Sequence, residues 1–169
     1  MAFWQADDDW QYEIFEPSTD PETFGAQADF VALWQSRISD GRLPAWRDYD
    51  PIGDFTDWYG WVNVEDVICA NPYNARFRLF GSNIARVYDM DLTGTEIRDA
   101  PEQFFSDVEF RLSEKLVTER LIARSSGPLR YENRRFYHLS VIEMPLADDG
   151  KEVDRVLVHY WVTDEYEES

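Results

Sequence analysis

Residues 76–94 read RFRLFGSNIARVYDMDLTG. Arginines alternate with Phe77 and Leu79, and Phe80-Gly81 closes the run, as expected of a half-buried strand that ends at a glycine. Ser82 or Asn83 can cap a short helix carrying Ile84, Val87 and Tyr88, and an Asp-Leu-Thr-Gly corner at 91–94 follows it. A strand that becomes a short helix at a glycine predicts a mixed fold. Because the chain carries no catalytic motif, its function has to be approached through architecture.

The flanking segments extend this pattern. Upstream, Trp58 to Ile68 is aromatic and β-branched and predicts a strand, paired through the CANPYNA turn with a strand over 75–80. Downstream, residues 91–105 read as loop with short helical turns. Ser106 to Glu109 has capping-box spacing, which predicts the longest helix from there to Ala123, stopped by Ser-Ser-Gly-Pro at 125–128. Its apolar residues, Val108, Phe110, Leu112, Leu116, Val117, Leu121 and Ile122, occupy two faces, which predicts cover on more than one side. Three strands follow, over 129–134, 136–146 and 153–163, the last two joined by a hairpin at Asp149-Gly150.

The N-terminal part divides in two. Residues 1–20 are acidic and aromatic and read as an irregular arm, with Trp4, Trp10, Tyr12 and Phe15 lying partly on the domain. Asp20 can cap a helix that starts at Pro21 and carries Phe24, Phe30, Val31, Trp34 and Ile38 on one side, ended by Asp40-Gly41. A Pro- and Gly-containing connector leads on to 57. The expected organisation is an arm at 1–20, a helix and connector at 21–57, and a core at 58–164. The order is helix, two strands, short helices, long helix and three strands. It predicts an α+β domain with a five-stranded antiparallel sheet, helices on one face and the N-terminal helix packed on the sheet.

The totals are consistent with one folded domain. The chain has 169 residues, 44% of them hydrophobic and 16% aromatic. Its formal charge of −18 repels phosphate backbones and anionic lipid, so neither nucleic acid nor membrane is an expected partner. Cys69 is alone, which excludes a disulfide framework and a paired-cysteine metal site. The N-terminal residues lack a signal-peptide pattern and no apolar run is long enough to span a bilayer, so a cytoplasmic location is expected.

Three segments together resemble one family. RFRLFGSNIARVYDMDLTG is similar to the strand, glycine and helix of the PAS core. LWQSRISDGRLPAWRDYDP at 33–51 and MPLADDGKEVDRVL at 144–157 resemble the leader and closing hairpin of a stand-alone PAS group common in alphaproteobacteria. The resemblance covers residues 30–164. It does not account for the acidic arm or for the aromatic segment 58–61. It implies a sensory or protein-interaction module without catalytic activity, and a closing Asp-Ile-Thr-like element at Trp161-Val162-Thr163 that would put His159 toward the ligand.

With Asp149-Gly150 as the turn, His138 opposes Trp161, Ser140 opposes His159 and Leu146 opposes Val153. Two sheet faces follow. The mixed face, with His138, Ser140, His159 and Trp161, is expected to line the cavity together with Ile84, Tyr88 and Leu121. These seven residues are the ligand-binding candidates. The alternative, and the favoured reading for His138 and His159, is two half-buried histidines satisfied by neighbours. The other face, with Tyr137, Leu139, Val141, Val156, Val158, Tyr160 and Val162, is expected to receive the N-terminal helix or a second subunit. Phe30, Trp34, Tyr137, Leu139, Val158 and Tyr160 are the interface candidates, and a homodimer is expected because one helix is too small to cover that face.

No metal site is expected. Compared with haem-binding PAS proteins, the long helix has no axial histidine. Compared with flavin-adduct PAS domains, Cys69 lacks the Asn-Cys-Arg setting. Neither haem nor flavin is expected, although an unknown small ligand remains open, and Cys69 reads as a small hydrophobe. A signalling partner protein is the expected output. Two other readings compete. One is a cone-shaped isomerase or dehydratase with His138 or His159 as general base. The other is an acidic decoy for a basic protein surface.

Overall fold

The computed structural model describes residues 3–7 and 9–164. Seven strands form one antiparallel sheet: β1 (Phe3–Asp7), β2 (Trp10–Phe15), β3 (Val62–Ala70), β4 (Tyr73–Leu79), β5 (Ile122–Pro128), β6 (Tyr137–Leu146) and β7 (Arg155–Asp164), in the order β1-β2-β5-β6-β7-β3-β4. The last five carry the expected five-stranded unit. The other two correct the irregular arm: most of it is a hairpin that extends the sheet at the β5 edge. Trp10, Tyr12 and Ile14 are buried on one side of β2, while Gln11 faces away. The hairpin is bolted down at Gly127, where any Cβ would lie 2.6 Å from the Trp10 ring. Trp10 Nε1 also donates to the Pro128 carbonyl at 2.9 Å.

The chain leaves β4 at Gly81 because Gly60 passes across it. A Cβ on Gly81 would come within 2.3 Å of the Gly60 carbonyl oxygen. Helix α2 (Ser82–Tyr88) begins there. Helix α3 (Asp107–Glu119) starts in the expected capping box, with Ser106 and Glu109 bonded reciprocally. It ends earlier than expected, at Arg120 in the left-handed conformation (φ 60°). Leu121 and Ile122 therefore belong to the turn and to β5. Ser125 to Pro128 is strand, and 129–134 is loop with one 3-10 turn. The two-faced apolar pattern arose from running helix and strand together. The aromatic segment before β3 is a 3-10 turn at Thr56–Trp58 followed by a bend, and the strand itself starts at Val62.

The first helix is split. Pro21–Gln27 is 3-10, with Asp20 capping it and a turn at Gly25 (φ 57°), and α1 (Ala28–Ser36) follows. The β6–β7 register sits two residues from the expected one: His138 opposes Thr163, Ser140 opposes Trp161, Ile142 opposes His159 and Leu146 opposes Arg155. The Asp149-Gly150 corner lies inside an eight-residue connection, 147–154, held by Leu43 and Pro44 through backbone bonds. A shift of two keeps every side chain on its expected face.

The roles of the two faces are the reverse of the expected ones. Helix α1 lies on the mixed face: Phe30 stacks on His159 with centroids 4.5 Å apart, and Trp34 Nε1 donates to the Pro145 carbonyl at 3.0 Å. We call this the outer face. Helices α2 and α3 cover the greasier inner face, where Tyr88 meets Tyr160 edge-on at 6.3 Å. Of the interface candidates, Phe30, Trp34, Leu139, Val158 and Tyr160 are buried within the chain and Tyr137 is half-buried. That removes the exposed patch on which the homodimer rested. Among the described residues, no helix is long and apolar enough to cross a membrane.

Candidate functional site

The seven sequence-derived ligand candidates do not converge. His138 is exposed and Trp161 is 45% exposed, both on the outer face. His159 is buried beneath α1, and Ser140 is half-buried beside it. Gln27 serves both residues. Its Nε2 lies 3.0 Å from His159 Nδ1 and donates to the Ser140 carbonyl at 3.1 Å, while the Ser140 hydroxyl donates to Gln27 Oε1 at 2.7 Å. Burial pushes the His159 imidazole down to about 4, so it is neutral at pH 7. The role is structural for His159, but exposed His138 is not the half-buried residue expected. Ile84 and Tyr88 lie in the interior, on the other side of the sheet. Leu121 lies near Ile14 and Phe15, away from both groups. Cys69, expected to behave as a small hydrophobe, is exposed on β3.

A different set of polar residues is gathered on the inner face. The strand registers define two cross-strand rows there. One runs Ile14, Ala123, Glu143, Val158, Asn63, and the next runs Pro145, Val156, Glu65, Phe77. Glu143 and Glu65 thus stand in adjacent rows on either side of β7. Both are buried, at 5% and 3% exposure. Glu65 accepts a hydrogen bond from Tyr73 Oη at 2.7 Å. Glu143 is approached by Ser113 Oγ of α3, at 3.3 and 3.4 Å from its two carboxylate oxygens. Asn63 is fully buried. Its Oδ1 accepts from the Gly81 N–H at 2.8 Å, and its Nδ2 has no partner.

The polar layer continues toward the hairpin. Glu109 of α3 pairs with Arg130 at 3.1 Å, Arg130 also donates to Tyr12 Oη at 3.0 Å, and its guanidinium sits 4.3 Å over the Trp10 ring. Of these three buried carboxyls, Glu109 is the one with a guanidinium against it among the described residues, that of Arg130. Burial pushes Glu65 up to about 7. It raises Glu143 well above the usual range, and the charges of Glu65 and Glu109 raise it further. Glu109 is raised by burial although Arg130 opposes the shift. The arrangement can hold protons, or donate and accept hydrogen bonds, in a dry interior.

Sequence reasoning missed Glu65, Glu143, Tyr73, Ser113, Glu109 and Arg130. The signal was present for one of them: Glu143 interrupts the apolar alternation Leu139, Val141, whereas Glu65 keeps the alternation of Val62 and Val64 with Asn63 and so reads as an outward polar position. Among the described residues, no cluster of three or more histidine, cysteine or acidic side chains could hold a metal ion.

The class this architecture defines is a PAS-like α+β fold, here with two strands added. More particularly, it is similar to a solved structure described as an RNA-binding light-oxygen-voltage receptor, a member of the PAS family, with a TM-score of 0.52 at 10% sequence identity. The match covers 78% of this chain, which spans 37% of the length of that one. No family model matches the sequence, and no curated protein does.

Proposed function

We propose that the chain is a PAS-like sensory module, without catalysis of its own, whose input is read on the inner face of the sheet and whose output is contact with a partner protein. The observation that carries this reading is the pair Glu65 and Glu143. Among the described residues, these two carboxyls are buried with no cation against them, on the face of the sheet that α3 covers. Removing a carboxylate from water without pairing it costs several kcal/mol, and a fold selected only for stability has no need of that arrangement. Perturbed acids gathered in one place are a recurrent mark of functional sites. The histidine-based isomerase reading loses its geometry. His138 is exposed, and His159 is stacked under Phe30 with its Nδ1 beside Gln27.

The test is a thermal-shift screen of small polar and cationic metabolites, with native mass spectrometry, on the wild type and Glu143→Leu. A compound that stabilises the wild type and loses its effect in the variant supports an inner-face input. A compound that stabilises both equally puts the input elsewhere.

A further inference from the structure

We infer that Glu65 and Glu143 form a coupled pair of proton-holding side chains that ties helix α3 to the pH of its surroundings, so that the proton is itself an input. This rests on the reading of the inner face as the sensory site and names one signal for it.

The geometry carries the inference. Each carboxyl is anchored to a different element. Glu65 on β3 is held by Tyr73 at the start of β4, whereas Glu143 on β6 is met by Ser113 of α3. Ser113 is fully buried in α3, between Leu112 and Leu116, which seat the helix on the sheet. The two carboxyls stand in adjacent rows across β7, so a charge on one disfavours a charge on the other.

Among the described residues, the groups facing the pair from other elements include no compensating cation. From β4 comes the Tyr73 phenol and from β7 the Tyr160 phenol, which Tyr88 of α2 meets edge-on. From α3 comes Glu109, already engaged by Arg130, and Arg130 reaches in turn to Tyr12 of β2. Burial raises Tyr73, Tyr88 and Tyr160 above the ordinary phenol range, so they remain neutral donors.

The sequence of events follows from these partners. With both carboxyls protonated, the interior is neutral and α3 packs without penalty. As pH rises, one carboxyl of the pair releases its proton before the other, because a charge on either disfavours a charge on its neighbour. The resulting charge has no cation to meet. Opening of α3 then lets water reach the carboxylates, which makes the opened form increasingly favourable as pH rises.

Hydrogen exchange of the α3 amides tests this directly. Opening that wets both carboxyls is linked to two protons between roughly pH 5 and 6.5. Protection factors, corrected for intrinsic exchange, should therefore fall by up to about a hundredfold per pH unit in the wild type. Glu65→Gln and Glu143→Gln keep the shape of each side chain and should each reduce the fall to about tenfold per unit. The double variant should retain only the shallow part owed to Glu109. Equal pH dependence in the wild type and the double variant would overturn the proposal.

Native mass spectrometry of the same samples separates the two levels. A retained small molecule that is lost in both Gln variants, with pH-independent protection, would keep the inner face as the input but remove the proton. PH-independent protection with no such molecule would count against both.

Discussion

On the outer face of the sheet, His159 is buried as a neutral base, stacked on Phe30 and matched by Gln27, whose amide is satisfied at both ends. On the inner face, Glu65 and Glu143 are buried with hydroxyl partners, and burial raises both above the ordinary carboxylate range. Matched polar groups at a seam are what a stable fold requires, so the outer face needs no function to explain it. The inner face is different, because uncompensated acids weaken the fold at neutral pH.

The contrast has a sign. The His159 imidazole is lowered from 6.5 to about 4, so between those values the unfolded chain binds the extra proton and stability rises with pH. Glu65 is raised from 4.5 to about 7, so in that window the folded chain binds the extra proton and stability falls with pH. Each contributes on the order of 3 kcal/mol across its window.

The largest expected effect concerns the outer seam. Trp34 is fully buried and bonded to Pro145. Trp34→Asp should cost about 5 kcal/mol or more and abolish the cooperative transition in a thermal melt. A wild-type melt would break the placement of α1 on the outer face.

Next comes Arg130, the cation paired with Glu109. Arg130→Met leaves Glu109 buried and loosens the hairpin at Trp10 and Tyr12. The expected loss is about 3 kcal/mol, at the low end for a broken buried pair because the guanidinium is 22% exposed. Urea denaturation at pH 7 measures it. No loss would mean that the hairpin and Glu109 are held by other contacts.

The pH windows sharpen the comparison at about the same scale. Glu65→Gln should remove a fall in stability of about 3 kcal/mol between roughly pH 4.5 and 7. His159→Phe, which can keep the stack on Phe30, should remove a rise of similar size between roughly pH 4 and 6.5. Chemical denaturation at half-unit pH intervals reads both, and slopes that change in the same direction would contradict the assignment of the two faces. The smallest effect is Ser113→Ala. Its bonds to Glu143 are long, at 3.3 and 3.4 Å, and the expected cost is about 1 kcal/mol or less.

The core could be read from the sequence because its local signals agreed with each other. Gly81 ends β4, Ser106 and Glu109 box the start of α3, and Asp20-Pro21 opens the first helix. The hairpin was hidden by its acidity. Trp10, Tyr12 and Ile14 alternate as a strand should, but Asp7-Asp8-Asp9 gave the whole segment the look of a solvated arm. The end of α3 was hidden because Arg120 takes a left-handed conformation that nothing in its residue type announces.

The faces were reversed for a different reason. Alternation shows which residues share a face but not which neighbour covers it. The greasier face, with Tyr160 and Leu139, lies under α2 and α3, while His159 and Ser140 find their partner in Gln27, more than a hundred residues away in sequence. Of the candidate site only Glu143 was legible, as a glutamate where the alternation of Leu139 and Val141 called for an apolar residue.

The most direct test of the account is a carbon-13 NMR titration of the glutamate side-chain carboxyls, with Glu65→Gln and Glu143→Gln used to assign the two signals. The expected result is two carboxyls, those of Glu65 and Glu143, that both stay protonated well above the ordinary carboxylate range and release their protons in separate steps. If both titrate together in the ordinary range near 4.5, the inner face carries no held proton and the sensory reading of that face loses its foundation.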